Sequence, residues 1–128
     1  MAYSQLMHFD QKRKIKKSIL YIRSSFNNLI LTVTNMHGDV LFWCSAGSCG
    51  FKGARKGTPF SAKMTIEKIL KLAFDRGIKT LYIVLKGPGP GRETVLRTLK
   101  KSSFSILLIC DRTPLPHNGC RPPKKRRI

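Results

Sequence analysis

Cys44, Cys49, Cys110 and Cys120, with His8, His37 and His117, are the side chains of this 128-residue chain that could ligate a metal or arm a nucleophile. A structural zinc site draws paired ligands at short spacings, so that one turn supplies two of them. Here Cys44 and Cys49 stand five apart, Cys120 follows His117 by three, and no C-x-x-C occurs. Cys110 closes an apolar, strand-like run. The spacing argues against a metal site, and without a secretory signal the four thiols are expected to be reduced. Catalysis fares no better. The 6 acidic residues are scattered, and nothing resembles a nucleophile elbow or a paired-carboxylate site. Asp111 lies near His117 in sequence, with Ser102 and Ser103 before it, but they make no recognisable catalytic motif. No enzyme, cofactor or small-molecule substrate is expected.

What the chain has in abundance is positive charge. Lys and Arg number 25 against 6 acids, a net charge of +19. A protein that repels itself so strongly normally sits against a polyanion, nucleic acid first and an anionic membrane surface second. The charge is densest at the ends. Lys12, Arg13, Lys14, Lys16 and Lys17 crowd the start, and Arg121, Lys124, Lys125, Arg126 and Arg127 the finish. The longest apolar runs, such as 106–110, fall far short of the roughly 20 residues of a membrane span. The first residues lack the apolar stretch of a secretory signal and the look of a transit peptide. The protein is therefore expected to act where it is made, or in mature form.

Three basic motifs could meet phosphates. "CGFKGARKGTPF" (49–60) interleaves Lys52, Arg55 and Lys56 with glycines, so backbones can approach closely where the charge lies. Phe51 and Phe60 within it are candidates for stacking on an unpaired base, or for the core. "KGPGPGRE" (86–93) follows a strand and opens a helix, with Lys86 and Arg92 at its flanks. It matches neither a Walker A loop nor G-x-G-x-x-G, and its prolines delete N–H donors a nucleotide cradle would use. It reads either as a plain strand-to-helix turn or as a contact with an RNA phosphate. "TPLPHNGCRPPKKRRI" (113–128) sets a turn dipeptide, Asn118-Gly119, among four prolines that favour stiff, extended backbone. "KKRR" alone would also serve as a nuclear localisation signal.

The elements that must position these motifs follow from periodicity. Residues 1–17 are polar, basic and aperiodic, a basic N-terminal extension. "SILYIRSS" (18–25), "LILTVTN" (29–35) and "DVLFWCS" (39–45) read as three strands joined by short turns, an antiparallel meander. Thr58 then Pro59 starts a helix that runs to Gly77, with Ala62, Ile66, Ile69, Leu70 and Ala73 on one stripe. "IKTLYIVLK" (78–86) is near-continuously apolar, as for a strand covered on both faces. A short helix from Glu93 to Lys101 turns Val95, Leu96 and Leu99 inward, and "FSILLIC" (104–110) is a last buried strand. The fold class is α/β: a mixed five-stranded sheet, meander then strand-helix-strand-helix-strand, with helices on its faces. The layout is ribonuclease-H-like, but six scattered acids cannot assemble that family's metal-binding carboxylates. The chain divides into the extension (1–17), a globular domain (18–111) and a basic C-terminal RNA-binding arm (112–128).

"FNN…TVT…G", "AGSCGFKGARKGTPF", "KGPGPGRE" and "DRTPLPHNGCRPPKKRRI", in that order, closely resemble the family of the eleventh protein of the small ribosomal subunit, in its bacterial and organellar form. The resemblance covers about 18–128. It implies an α/β sandwich and a non-enzymatic role, binding small-subunit ribosomal RNA on the platform near the messenger exit and the Shine–Dalgarno duplex. It also implies small-subunit proteins seven and eighteen as neighbours. Carried across by motif, it implies RNA contacts at Lys52, Arg55 and Lys56, at Lys86 and Arg92, and along the arm at His117, Asn118, Arg121, Lys124, Lys125, Arg126 and Arg127. The first 17 residues depart from the longer glycine- and arginine-rich start of plastid relatives, and the helix after Pro59 is Lys- and Ile-rich where relatives carry alanine. "CGF" and "PPKKRRI" look plastid-like, so a plastid ribosome is favoured over a mitochondrial or bacterial one. The alternatives are a nuclear or chromatin-type nucleic-acid binder and a ribonuclease-H-like nuclease.

Overall fold

Turn chemistry sets the first half of the molecule. In the computed structural model, which describes residues 16–127, β1 (Lys17–Ser24) and β2 (Leu29–Thr34) are joined at Ser25–Asn28. There the Ser25 backbone N–H donates to the Asn28 carbonyl at 2.9 Å, and the Asn28 N–H donates to Ser25 Oγ at 3.1 Å. The turn into β3 (Val40–Ser45) is built on Asn35, whose Oδ1 accepts the N–H groups of His37 and Asp39, both at 2.9 Å. A 3₁₀ turn (Gly53–Gly57) then leads into α1 (Pro59–Asp75), followed by β4 (Thr80–Lys86), α2 (Gly91–Lys101) and β5 (Ser105–Asp111).

Helix α1 starts and stops where its sequence says. Thr58 accepts the Ser61 N–H through its hydroxyl, and Pro59 occupies the first turn, where no donor is missed. At the other end the Gly77 N–H bonds to Phe74 and the Ile78 N–H to Ala73, the paired bonds of a Schellman motif. That motif needs a left-handed residue at Gly77, and φ there is +77°. The expected stripe Ala62, Ile66, Ile69, Leu70 and Ala73 is buried, as are Val95 and Leu99 of α2.

The sheet order is β3-β2-β1-β4-β5. β2 runs antiparallel to both β1 and β3, while β4 runs parallel to both β1 and β5. This is the mixed five-stranded layout expected. Leu20, Ile22, Leu31, Val33, Leu81, Ile83 and Leu85 meet Ile66, Ile69, Val95 and Leu99 in one apolar cluster. Each such fully buried side chain contributes roughly 1.5–3 kcal/mol.

Two expectations are corrected. Helices are expected on the faces of the sheet, and both cover the same one. The crossovers β3-α1-β4 and β4-α2-β5 move the same way across the sheet, and right-handed connections moving one way deliver their helices to one side. The opposite face carries Tyr21, Thr32, Trp43 and Tyr82, with Trp43 60% exposed. The last strand is not buried either. β5 is an edge strand with a register shift opposite Leu81/Tyr82, and Leu107, Leu108 and Ile109 are each more than half exposed. Only Ile106 and the preceding Phe104 pack against the core.

Candidate nucleic-acid interface

Strand direction gathers the basic motifs. β1, β3, β4 and β5 all point the same way, so their carboxyl ends, and the loops leaving them, share one end of the sheet. The β1–β2 turn, the glycine-rich loop after β3, the proline-glycine loop after β4 and the arm after β5 all emerge there.

These loops are bound to one another. The Gly89 N–H donates to the Ser24 carbonyl at 3.1 Å, and the Gly87 N–H to Thr113 Oγ1 at 3.2 Å. Gly87 has φ +94° and lies so close to the Ser24 carbonyl that a Cβ there would overlap it. Gly57 abuts the Phe26 carbonyl in the same way. With Pro88 and Pro90 lacking donors and the Gly87 and Gly89 N–H groups used internally, the segment before α2 is packed against its neighbours.

The expected site residues divide into two kinds. Lys52, Arg55 and Lys56 sit on the 3₁₀ turn or just before it; Lys52 and Arg55 are exposed and Lys56 half-buried. Lys52, Arg55, Phe51 and Phe60 line an open groove of about 550 Å³ with Cys49, Gly50 and Thr58. Phe51 and Phe60 are outside the core cluster and pack edge to face, centroids 5.9 Å apart, with Phe60 64% exposed. Lys86 is exposed at the end of β4. Arg92 is different. Its guanidinium donates to Asp111 Oδ2 at 2.7 Å and to the Gly87 carbonyl at 3.0 Å, clamping the start of α2 to the end of β5. Asp111 in turn accepts from the Thr113 hydroxyl at 2.6 Å and the Thr113 N–H at 3.0 Å. These bonds, led by the Thr113 hydroxyl and then Arg92, hold its carboxyl down at about 2.

From Pro114 to Arg127 the chain is exposed and without regular secondary structure. Asn118 takes φ +56°, the left-handed turn expected of Asn118-Gly119. His117, Arg121, Lys124, Lys125, Arg126 and Arg127 all lie exposed along this arm. The expected basic extension falls, apart from Lys16 and Lys17, outside the described residues.

Two further cations belong to this end. Arg23 is the register partner of Lys86, and Arg112 follows Asp111, the partner of Leu85. Arg23, Lys86 and Arg112 therefore stand side by side on three parallel strand ends. Like charges so placed repel unless an anion lies across them. Phe26, 73% exposed on the β1–β2 turn, adds an aromatic face. Neither Arg23 nor Arg112 stands out in sequence, because their adjacency to Lys86 is made by strand register. Among the described residues the ion pairs are Arg92–Asp111 and Arg97–Glu93, so these cations are not neutralised within the fold.

Similar chains are proteins of the small ribosomal subunit: one from Pleurastrum terricola, 56% identical over 117 residues (91% of each chain), one from Physcomitrium patens at 51% (91% of this chain, 90% of the relative), both named uS11c, and a uS11 from Caldicellulosiruptor saccharolyticus at 48% over 118 residues (92% and 91%). The family model described as Ribosomal protein S11 matches residues 18–127. The chain belongs to the ribosomal protein S11 family and is of the plastid type, a structural constituent of the ribosome.

Proposed function

We propose that this constituent of the plastid ribosome binds small-subunit ribosomal RNA through the carboxyl end of its sheet, with the arm threaded between RNA helices. The observation that carries the reading is the row Arg23, Lys86 and Arg112, continued by Lys52, Arg55 and Lys56 on one side and the extended cationic arm on the other, none neutralised by a carboxylate. Lysines and arginines on phosphates release counterions, and Phe26 and Phe60 offer faces to unstacked bases. Arg92 positions the arm rather than reaching RNA as a free side chain.

By family likeness the site is the platform near the messenger exit and the Shine–Dalgarno duplex, with small-subunit proteins seven and eighteen as neighbours, where the protein supports subunit assembly. The role is structural, with no turnover. Among the described residues the carboxylates that a ribonuclease-H-like nuclease would need together are dispersed: Asp39 in the β2–β3 turn, Glu67 and Asp75 on α1, Glu93 on α2, and Asp111 tied to Arg92. The test is co-sedimentation of the full chain, and of a chain lacking 113–128, with small ribosomal subunits at about 0.1 M KCl, where phosphate contacts are least screened. The full chain is expected in the pellet and the truncated one in the supernatant. Equal loss of both, or displacement by random duplex DNA as readily as by ribosomal RNA, overturns the reading.

A further inference from the structure

Cys44 and Cys49 do not form a zinc motif, yet the fold brings their sulfurs to 3.4 Å. The turn between them is stitched tightly. Ser48 Oγ accepts the Ser45 N–H at 2.9 Å and donates to the Ser45 carbonyl at 2.8 Å, and the Ser48 N–H donates to Ser45 Oγ at 3.1 Å. The Cys49 N–H then bonds back to the Ser45 and Ala46 carbonyls, both at 3.2 Å. A disulfide needs the sulfurs at about 2.05 Å, so closure requires an approach of about 1.4 Å.

The two thiols differ in access. Cys44 is 1% exposed at the end of β3, and burial pushes its thiol pKa up. Cys49 is half-buried and lines the 550 Å³ groove beside Lys52 and Arg55. Such a groove suits a small disulfide carrying carboxylates.

We propose that Cys44 and Cys49 form a reversible dithiol–disulfide site that reacts with anionic small-molecule disulfides of the glutathione class. Cys49 attacks one sulfur of oxidised glutathione as its thiolate, forming a mixed disulfide and releasing one glutathione thiolate, which takes up the proton Cys49 lost. Cys44 then gives up its proton and attacks Cys49 Sγ, expelling the second glutathione. Two thiols are oxidised to one intrachain disulfide, and one glutathione disulfide is reduced to two glutathione thiols. The bond locks the end of β3 to the start of the glycine-rich loop. The groove shares Lys52, Arg55 and Phe60 with the proposed RNA surface, so the exchange is tested on the RNA-free chain.

The test equilibrates the full chain, without RNA, against a series of oxidised and reduced glutathione mixtures, blocks remaining thiols by alkylation, and maps peptides by mass spectrometry. The expected product is a monomer lighter by two hydrogens, with Cys44 joined to Cys49 and restored by dithiothreitol. C44S should stop at a glutathione adduct on Cys49, and C49S should slow modification of Cys44 on the order of tenfold or more. Circular dichroism shows which variants are folded, with C44A and C49A as substitutes for any that are not. Persisting glutathione adducts on Cys49 in the unsubstituted chain, a bond to Cys110 or Cys120 instead, or free Cys44 and Cys49 where Cys120 is oxidised, overturns the proposal.

Discussion

Removing residues 113–128 should lower the salt dependence of RNA binding by an amount that can be worked from the fold. Arg23, Lys52, Arg55, Lys56, Lys86 and Arg112 stand on the body, and Arg121, Lys124, Lys125, Arg126 and Arg127 in the arm, all outside the ion pairs. Each phosphate neutralised contributes about −0.9 to the slope of log affinity against log salt on a duplex, and about −0.7 on a single strand. Engagement of all of them sets a ceiling near −10, and eight contacts give about −7. The arm's share is then about 4. Fluorescence anisotropy of a labelled small-subunit ribosomal RNA fragment, titrated with each chain between about 0.1 and 0.5 M KCl, measures both slopes. The affinity advantage of the full chain should shrink ~600-fold across that range, since a fivefold rise in salt acts on a slope difference of about 4. Parallel lines for the two chains would remove the arm from phosphate contact. A slope near −1 for the full chain would refute charge neutralisation as the mechanism.

Other perturbations test the frame that holds this surface. Gly87→Ala combines a φ of +94° with overlap onto the Ser24 carbonyl, and should cost about 3 kcal/mol in urea unfolding; a loss under about 0.5 would refute the close packing of the proline-glycine loop. Ile66→Ala, at the centre of the cluster, should cost about 3–4 kcal/mol by the same measurement, and a near-neutral result would contradict the one-sided core. Asp111 has a folded pKa of about 2, below its ordinary 3.8. Its contribution is therefore complete above the unfolded value and is lost as pH falls from there through about 2. In Asp111→Asn the acid limb of the stability profile should be flatter between those two values, whereas an unchanged limb would show that the Thr113 and Arg92 bonds do not form in solution.

Local pattern was enough for the parts of the fold that local physics decides. The stripe on α1, its Thr58-Pro59 start and Gly77 stop, and the alternation of β2 all read directly, because periodicity and capping are properties of neighbouring residues. The burial of β5 did not. An apolar run such as Ile106-Leu107-Leu108-Ile109 looks the same in a central strand as at an edge, and its exposure follows from its place beside β4 alone. The one-sided helices depend on strand order combined with crossover handedness, which no single segment carries. At the candidate site, the glycine-rich loop and the arm were legible from composition. In sequence Arg92 reads as an RNA contact, because its partner, Asp111, is 19 residues away and is brought near by the β4-α2-β5 unit. Arg23 and Arg112 do not read as a site for the same reason: lone arginines gain meaning when strand register sets them beside Lys86.

The central claim is that RNA lies against the carboxyl end of the sheet. Lysine acetylation of the full chain, alone and bound to small-subunit ribosomal RNA, compares the two ends within one molecule. Lys52, Lys86, Lys124 and Lys125 mark the proposed interface, and the exposed Lys17 and Lys79 mark the opposite end of β1 and β4. Protection of the first group with Lys17 and Lys79 still reactive is the predicted result. Protection of Lys17 and Lys79 with Lys52 and Lys86 left reactive would contradict it.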